Sequence, residues 1–245
     1  MYQTEVVDVE IADTPTTFWT STRIERLNAQ FRTQSPEALL TWAGETFGTR
    51  AAMTCSFGGP SGMVLLDMVS RLHNPISVVF LDTGLLFPET YELAEAAARR
   101  YSTTIIHRRP RISLAEQDQQ EGPQLFNRDP DRCCGIRKVT PLKEALRPYD
   151  AWISGIRRDQ STTRATTELV QWNERYGLLK LNPLAYWSEK QVWSYIYTYD
   201  IPYNTLLDQG YRSIGCAPCT RPTSGGNERD GRWVGFAKTE CGIHL

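Results

Sequence analysis

Apolar positions recur at helical spacing, then at strand spacing, and the two patterns alternate through most of the chain. Ser35-Pro36-Glu37 predicts a helix start: a serine side-chain cap, proline at the first helical position and early negative charge. Leu39, Leu40, Ala43 and Phe47 then share one face. Residues 51–55 read as a short buried strand running into the turn Ser56-Phe57-Gly58-Gly59-Pro60-Ser61-Gly62, with a helix expected over 63–72. A second β-branched and aromatic run, 76–81, ends in Asp82-Thr83-Gly84. Pro88 opens a helix carrying Tyr91, Ala94, Ala98 and Tyr101 at helical spacing. Strands follow at 103–106 and at 152–154, the latter after a helix that Pro141 starts. Ser188 and Gln191 form a capping box ahead of Val192, Tyr195, Ile196 and Tyr199. Beyond about Tyr203 the patterning fades, and 223–232, rich in glycine and polar residues, reads as a mobile loop.

This rhythm predicts an α/β fold with a doubly wound, mainly parallel sheet. The expected organisation is a single domain over 1–220 and a mobile C-terminal segment over 221–245. Composition adds little: 40% hydrophobic and 22% charged residues suit a soluble globular protein. A net charge of −1 gives no global field for nucleic acid or an anionic membrane. Residues 1–14 are acidic and lack the apolar core of a secretory signal, and 76–81 is too short to span a bilayer. A cytoplasmic location is therefore expected, where six cysteines point to metal ligands or catalytic thiols rather than disulfides.

Two cysteine pairs stand far apart in sequence, Cys133-Cys134 and Cys216-Ala217-Pro218-Cys219. Four thiolates from two short-spaced pairs suit a tetrahedral zinc or an iron–sulfur cluster, and the residues alone leave the two about level. Adjacent cysteines favour the cluster, because zinc ribbons use spaced knuckles; using both on one site requires a distorted backbone. Arg137 and Lys138 follow directly, as cations suited to an anionic centre.

The Ser56–Gly62 turn links a strand to a helix, where open α/β sheets bind ligands and a helix N-terminus offers N–H groups to an anion. It matches neither GxxxxGK[ST] nor GxGxxG, so alone it is a weak signal. Asp82-Thr83-Gly84 and the stretch from Gly155 to Arg164 belong on the same rim, and three arginines in that stretch suit a multiply charged anion. Near the end, Lys238-Thr239-Glu240-Cys241-Gly242-Ile243-His244 carries a cysteine too close to a terminus for a core role. Lys238 or His244, if close, would lower its thiol pKa. Cys55 lies in an apolar strand and is expected to be an inert small hydrophobe. With four cysteines on a cluster and Cys55 buried, no internal dithiol remains, so a two-electron reduction needs an external one.

These residues resemble the assimilatory adenylyl-sulfate (APS) and phosphoadenylyl-sulfate (PAPS) reductase family of the cluster-containing type, from about Thr54 to His244. The anchors are Cys133-Cys134-Gly135-Ile136-Arg137-Lys138, the Arg157 to Arg164 loop, Ser213-Ile214-Gly215-Cys216-Ala217-Pro218-Cys219 and Lys238 to His244. The resemblance implies a Rossmann-like architecture of the adenine-nucleotide α-hydrolase type and a [4Fe-4S] cluster on Cys133, Cys134, Cys216 and Cys219. It implies that Cys241 attacks the sulfate sulfur, expels AMP and becomes an S-sulfocysteine, which thioredoxin or glutaredoxin then discharges as sulfite. By position, Lys138 would link cluster to substrate, Arg164, Arg232 and His244 would contact the phosphosulfate, and Ser56, Gly58, Leu81 and Gly155 would line the nucleotide site.

One departure bears on substrate. Cluster-bearing APS reductases often carry an acidic pair in the phosphate loop, absent from Ser56–Gly62 here. Leu81-Asp82-Thr83-Gly84 and Phe87-Pro88-Glu89-Thr90 also resemble PAPS-type sequences. APS is the preferred expectation, with PAPS or dual use as the alternative and oligomeric state left open. More distant rivals are an ATP-pyrophosphatase-like enzyme of the same fold, whose usual SGGxDS loop is missing, a noncatalytic nucleotide-binding or redox-sensing module, and a metal-free redox dithiol at Cys216 and Cys219.

Overall fold

In the computed structural model, which describes residues 18–224 and 226–244, a six-stranded sheet is ordered β3-β2-β1-β4-β6-β5. The expectation for residues 1–14 lies outside the described part. The strands are β1 Ala51–Thr54, β2 Ser77–Leu81, β3 Ile105–Arg108, β4 Ala151–Ile153, β5 Val170–Asn173 and β6 Leu178–Leu181. Neighbouring pairs from β3 to β6 are parallel, and only β5 runs antiparallel, on the edge. Its hairpin with β6 turns at Gly177, whose φ of +64° is a left-handed value that favours glycine.

Helices α1 Ser21–Phe31, α2 Pro36–Phe47, α3 Pro60–Ser70, α4 Pro88–Tyr101 and α9 Glu189–Thr198 lie between or beside these strands. Leu39, Leu40, Leu65, Leu66, Val192 and Ile196 join the strands in the main core. A second cluster, with Ala52, Val79, Leu142, Leu146 and Trp152, packs on the other sheet face. Burial on both faces explains why the strands read as continuous apolar runs rather than alternating ones.

Several boundaries shift for physical reasons. α3 begins at Pro60, not at 63, because proline's fixed φ suits the first helical position and Gly59 serves as its cap. Ser35 stands at the α2 N-cap position, yet its side chain makes no capping hydrogen bond. β3 starts two residues later than expected, and β4 is moved back by one residue. Tyr199 is the C-cap of α9 rather than part of its buried face, and its exposed ring lies under the Arg71 guanidinium. Between β3 and β4 the chain forms α5 Leu114–Glu121, α6 Leu125–Arg128, α7 Pro130–Cys134 and α8 Thr140–Leu146. A π-helical turn, Gly135–Val139, joins the last two.

Candidate active site

Strand order reverses between β1 and β4: β2 and β3 lie to one side of β1, β6 and β5 beyond β4. The carboxyl ends of β1 and β4 therefore flank a topological switch point, where crevices form in open α/β sheets. A cleft opens there. Ser56, Gly58 and Leu81 line its nucleotide-loop side, Gly155 and Arg164 its β4 side, and Lys138, Arg232, Cys241 and His244 close it. These nine residues thus face one cavity, but of the three arginines expected to meet an anion only Arg164 does: Arg157 is buried behind the loop, and Arg158 pairs with Glu168.

The loop after β1 is shaped by tight packing. Phe57 adopts a left-handed φ of +52°, held by burial of its ring edge-on to Phe80 and by Asn204 Nδ2 donating to its carbonyl at 3.0 Å. An added Cβ at Gly58 would lie 2.6 Å from the carbonyl oxygen of Ile214, so the backbone there admits no side chain. α3 has no side-chain cap, which leaves its first N–H groups facing the cleft for an anion. Behind the loop, buried Arg157 donates to Ser61 Oγ at 2.6 Å, to Asp159 Oδ1 at 2.9 Å and to Glu228 Oε2 at 3.1 Å. Cys55 also lines the cleft, but its thiol is 1% exposed and burial pushes its pKa up to about 12, so it is inert.

The four paired cysteines carry free thiols, with Cys133, Cys134 and Cys216 buried and Cys219 half-buried. Cys133 and Cys134 end α7 and run straight into the π-turn, the backbone distortion that adjacent ligands require. Burial, with help from Cys216 and Cys219, raises the Cys133 pKa to about 11. Burial likewise raises Cys134 to about 12. Cys216 differs: burial pushes its pKa up, but the Lys138 ammonium, the Thr83 hydroxyl at 3.3 Å and Arg232 together bring it below the ordinary thiol value. Lys138 responds in kind. Burial disfavours its charge, and the neighbouring sulfurs of Cys216 and Cys241 outweigh that, holding the ammonium above its usual range. Arg137 is buried beside the same sulfurs, anchored on the Thr83 carbonyl at 2.6 Å and Gln117 Oε1 at 2.9 Å. The thiols share a neighbourhood, although among the described residues no group of three or more His, Cys, Asp or Glu is placed to hold a metal ion.

The C-terminal segment is folded back over the cleft. Thr220 and Arg232 form an antiparallel bridge, and Trp233 is buried with its N–H donating to the Cys219 carbonyl at 3.1 Å. Arg232 lies flat on Gly215, where a Cβ would meet its guanidinium at 2.2 Å. Cys241 is half-buried in the cleft wall. Ile243 packs on the second core cluster, and the His244 ring stacks on Trp152 with centroids 5.3 Å apart and planes within 5°. Burial, then Lys180, Arg164 and Arg229, lowers the His244 pKa well below 6.5, so its imidazole is neutral at pH 7 and does not act on Cys241 as a cation. Lys238 pairs with Asp131 instead. The cations whose fields reach the Cys241 thiol include Lys138 and Arg229.

Sequence reasoning missed the partner of Arg164. Its guanidinium lines the cleft but forks onto the buried Glu240 carboxylate, with both contacts at 2.8 Å. Arg229 joins the same carboxylate at 3.1 Å. Glu240 stood inside the terminal motif next to Cys241, so its position was the available signal; Arg229 was hidden in a stretch read as mobile loop.

The comparisons agree with this geometry. Residues 50–222 match the phosphoadenosine phosphosulfate reductase domain. An adenosine 5′-phosphosulfate reductase of Salinibacter ruber is 49% identical over 92% of this chain and 90% of its own length. A protein of the same name from Geobacillus kaustophilus is 47% identical over 84% of this chain and 88% of its own. Among solved structures, a phosphoadenylyl-sulfate reductase from Candida auris in a phosphate complex superposes with a TM-score of 0.74 at 32% identity, covering 83% of this chain and 98% of that one. A Candida glabrata FMN adenylyltransferase shares the fold alone, with a TM-score of 0.56 and 16% identity over 82% of this chain and 66% of that one. A six-stranded doubly wound sheet, a cleft at its switch point and matches over most of the length place this chain in the phosphoadenosine phosphosulfate reductase family.

Proposed function

We propose that this protein reduces adenosine 5′-phosphosulfate to sulfite and AMP through an S-sulfocysteine on Cys241, using an external dithiol. The observation that carries the reading is the position of Cys241, in the wall of the same cleft as the β1 loop, Lys138 and Arg232. The nucleotide phosphate would lie against the open N-terminus of α3. The Cys241 thiolate then attacks the sulfuryl sulfur in line with the bridging oxygen. A sulfur–sulfur bond forms, the sulfur–oxygen bond breaks, and its electron pair leaves with AMP. Lys138 and Arg232 meet the charge that develops on the departing phosphate. A thiolate of the external dithiol next attacks Cys241 Sγ, sulfite leaves with the electron pair of the sulfur–sulfur bond, and the second thiol closes a disulfide. Thioredoxin or glutaredoxin supplies such a dithiol in a reducing cytoplasm. To present the adduct, the segment over 221–245 would move away from the cleft.

In its chemistry, though not in the spacing of the described thiols, the donor set fits an iron–sulfur cluster: all sulfur, free of disulfides, largely buried, and faced by Arg137 and Lys138. Cys133, Cys134, Cys216 and Cys219 would hold it. When bound, it would supply a polarisable anionic centre that tunes the field at Lys138.

Cys241→Ser tests the proposal. AMP binding should persist while sulfite release from APS falls to background; sulfite formation at the parental rate would refute the nucleophile. A second reading, PAPS or dual use, is favoured by a β1 loop without acidic side chains. Parallel sulfite assays on the two nucleotides with excess thioredoxin decide it: APS turnover should exceed PAPS turnover, and the reverse order would transfer the assignment.

A further inference from the structure

Cys241 sits between two sets of clips. After it, Arg175 donates to the Gly242 carbonyl and Tyr176 Oη to that of Ile243 at 3.4 Å. Before it, the Arg229 guanidinium donates to the Thr239 carbonyl at 2.9 and 3.1 Å. These hold main chain and would accept almost any sequence. The exception is Glu240, the residue directly before the thiol. Its side chain is 5% exposed, and the charged donors around it converge from separate parts of the chain. Oε1 accepts from Arg164 Nε at 2.8 Å and from Thr163 Oγ1 at 3.2 Å, and Oε2 from Arg164 at 2.8 Å and Arg229 at 3.1 Å. The remaining Arg164 nitrogen is held by Gln160 Oε1 at 2.5 Å, so the fork is preset in both position and plane.

We infer that Glu240 is a positioning residue: its carboxylate latches the terminal segment to Arg164 and Arg229 and thereby sets Cys241 against the sulfuryl group. Charge explains why a carboxylate stands there. Arg164, Arg229 and Lys180 crowd this corner, and burial together with Arg164 brings the Arg229 pKa down to about 10. A buried anion between the arginines compensates them, whereas a neutral side chain would leave two desolvated guanidiniums without a counter-charge there. The same fork is a natural oxyanion site. With the tail docked, Arg164 serves the enzyme's own carboxylate and not the substrate; direct contact with phosphosulfate then falls to Arg232 and Lys138, whose cations remain open to the cleft. Undocking exchanges these roles, since it frees the Arg164 fork and releases Cys241 together.

The inference rests on Cys241 as nucleophile, so its test uses a readout independent of turnover. Cys241 alkylation by iodoacetamide is followed on the tail peptide across pH in the parent, Glu240→Gln and Glu240→Asp, beside AMP binding and single-turnover S-sulfonation. In Glu240→Gln the plateau alkylation rate should rise about tenfold. Sulfonation should slow by about as much, AMP affinity should not weaken, and Glu240→Asp should lie between. Parental alkylation and sulfonation rates in Glu240→Gln would overturn the latch. Should that variant fail to fold, Arg229→Met opens the same contact from the other side: faster alkylation supports the latch and a parental rate overturns it. Faster alkylation with no sulfonation even in the parent would leave the latch standing and remove the reductase reading instead.

Discussion

At the scale of single residues, the site is a problem in placing charge among buried sulfurs. The Lys138 field acts on Cys216, Cys134 and Cys241 together. Replacing it with alanine should lower the rate of Cys241 sulfonation by about 100-fold, the usual effect of removing one aligned electrostatic group. Iron content should be unchanged, since lysine supplies no metal ligand; single-turnover mass spectrometry and iron analysis check both halves. Gly58 is constrained sterically. Its alanine variant must push the Ile214 carbonyl from 2.6 Å to an ordinary contact, a shift of the kind that costs about 1–3 kcal/mol. A thermal melt should show that loss, and AMP titration should show weakened binding, because the displaced segment also lines the cleft.

At the scale of elements, legibility followed how local each signal is. β1, α3, β2 and α4 were readable because an apolar run, a proline start or a glycine turn lies within a few residues. The β5–β6 hairpin was not: Val170–Asn173 is edge strand with a half-buried pattern, and Lys180 in β6 breaks the apolar run while being buried through tertiary contacts with Trp152. The distortion at Cys133-Cys134 was anticipated from adjacency alone, although its form as a π-turn could not be. The terminal segment was legible as chemistry and not as structure, because its anchors, Arg164, Arg175 and Trp152, are distant in sequence. Its docking carries a pH signature. His244 has a depressed pKa when docked, so below about 6.5 the undocked tail binds a proton that the docked tail refuses. Docking is therefore fully favourable above that value and weakens as pH falls toward the depressed one. Glu240 opposes no part of this, because the arginines outweigh its burial and keep it ionised below the usual carboxylate range. Cys241 protection from a pH-insensitive oxidant should fall between pH 7 and 5 in the parent and stay flat in His244→Phe, which keeps the stack on Trp152 without titrating. Equal curves would assign the effect elsewhere.

At the scale of the whole molecule, one topological fact arranges everything else. The order β3-β2-β1-β4-β6-β5 opens a crevice between β1 and β4, and the parallel strands deliver their following loops to the same rim. Cys133 of α7 lies in the field of Cys216 and Cys219 beside that rim, α6 packs on the Cys216–Cys219 turn, and Leu86 bridges to Cys216 next to the β2 loop. Arg232, Cys241, Ile243 and His244 of the terminal segment then close the crevice. None of the described helices is long and apolar enough to cross a membrane. The central claim is covalent and can be read directly. Protein mixed with APS in the absence of reductant, digested and analysed by mass, should carry one sulfonate on the peptide containing Cys241, and thioredoxin should remove it with stoichiometric sulfite. An unmodified Cys241 peptide alongside released sulfite, or a sulfonate found on another cysteine, would contradict the account.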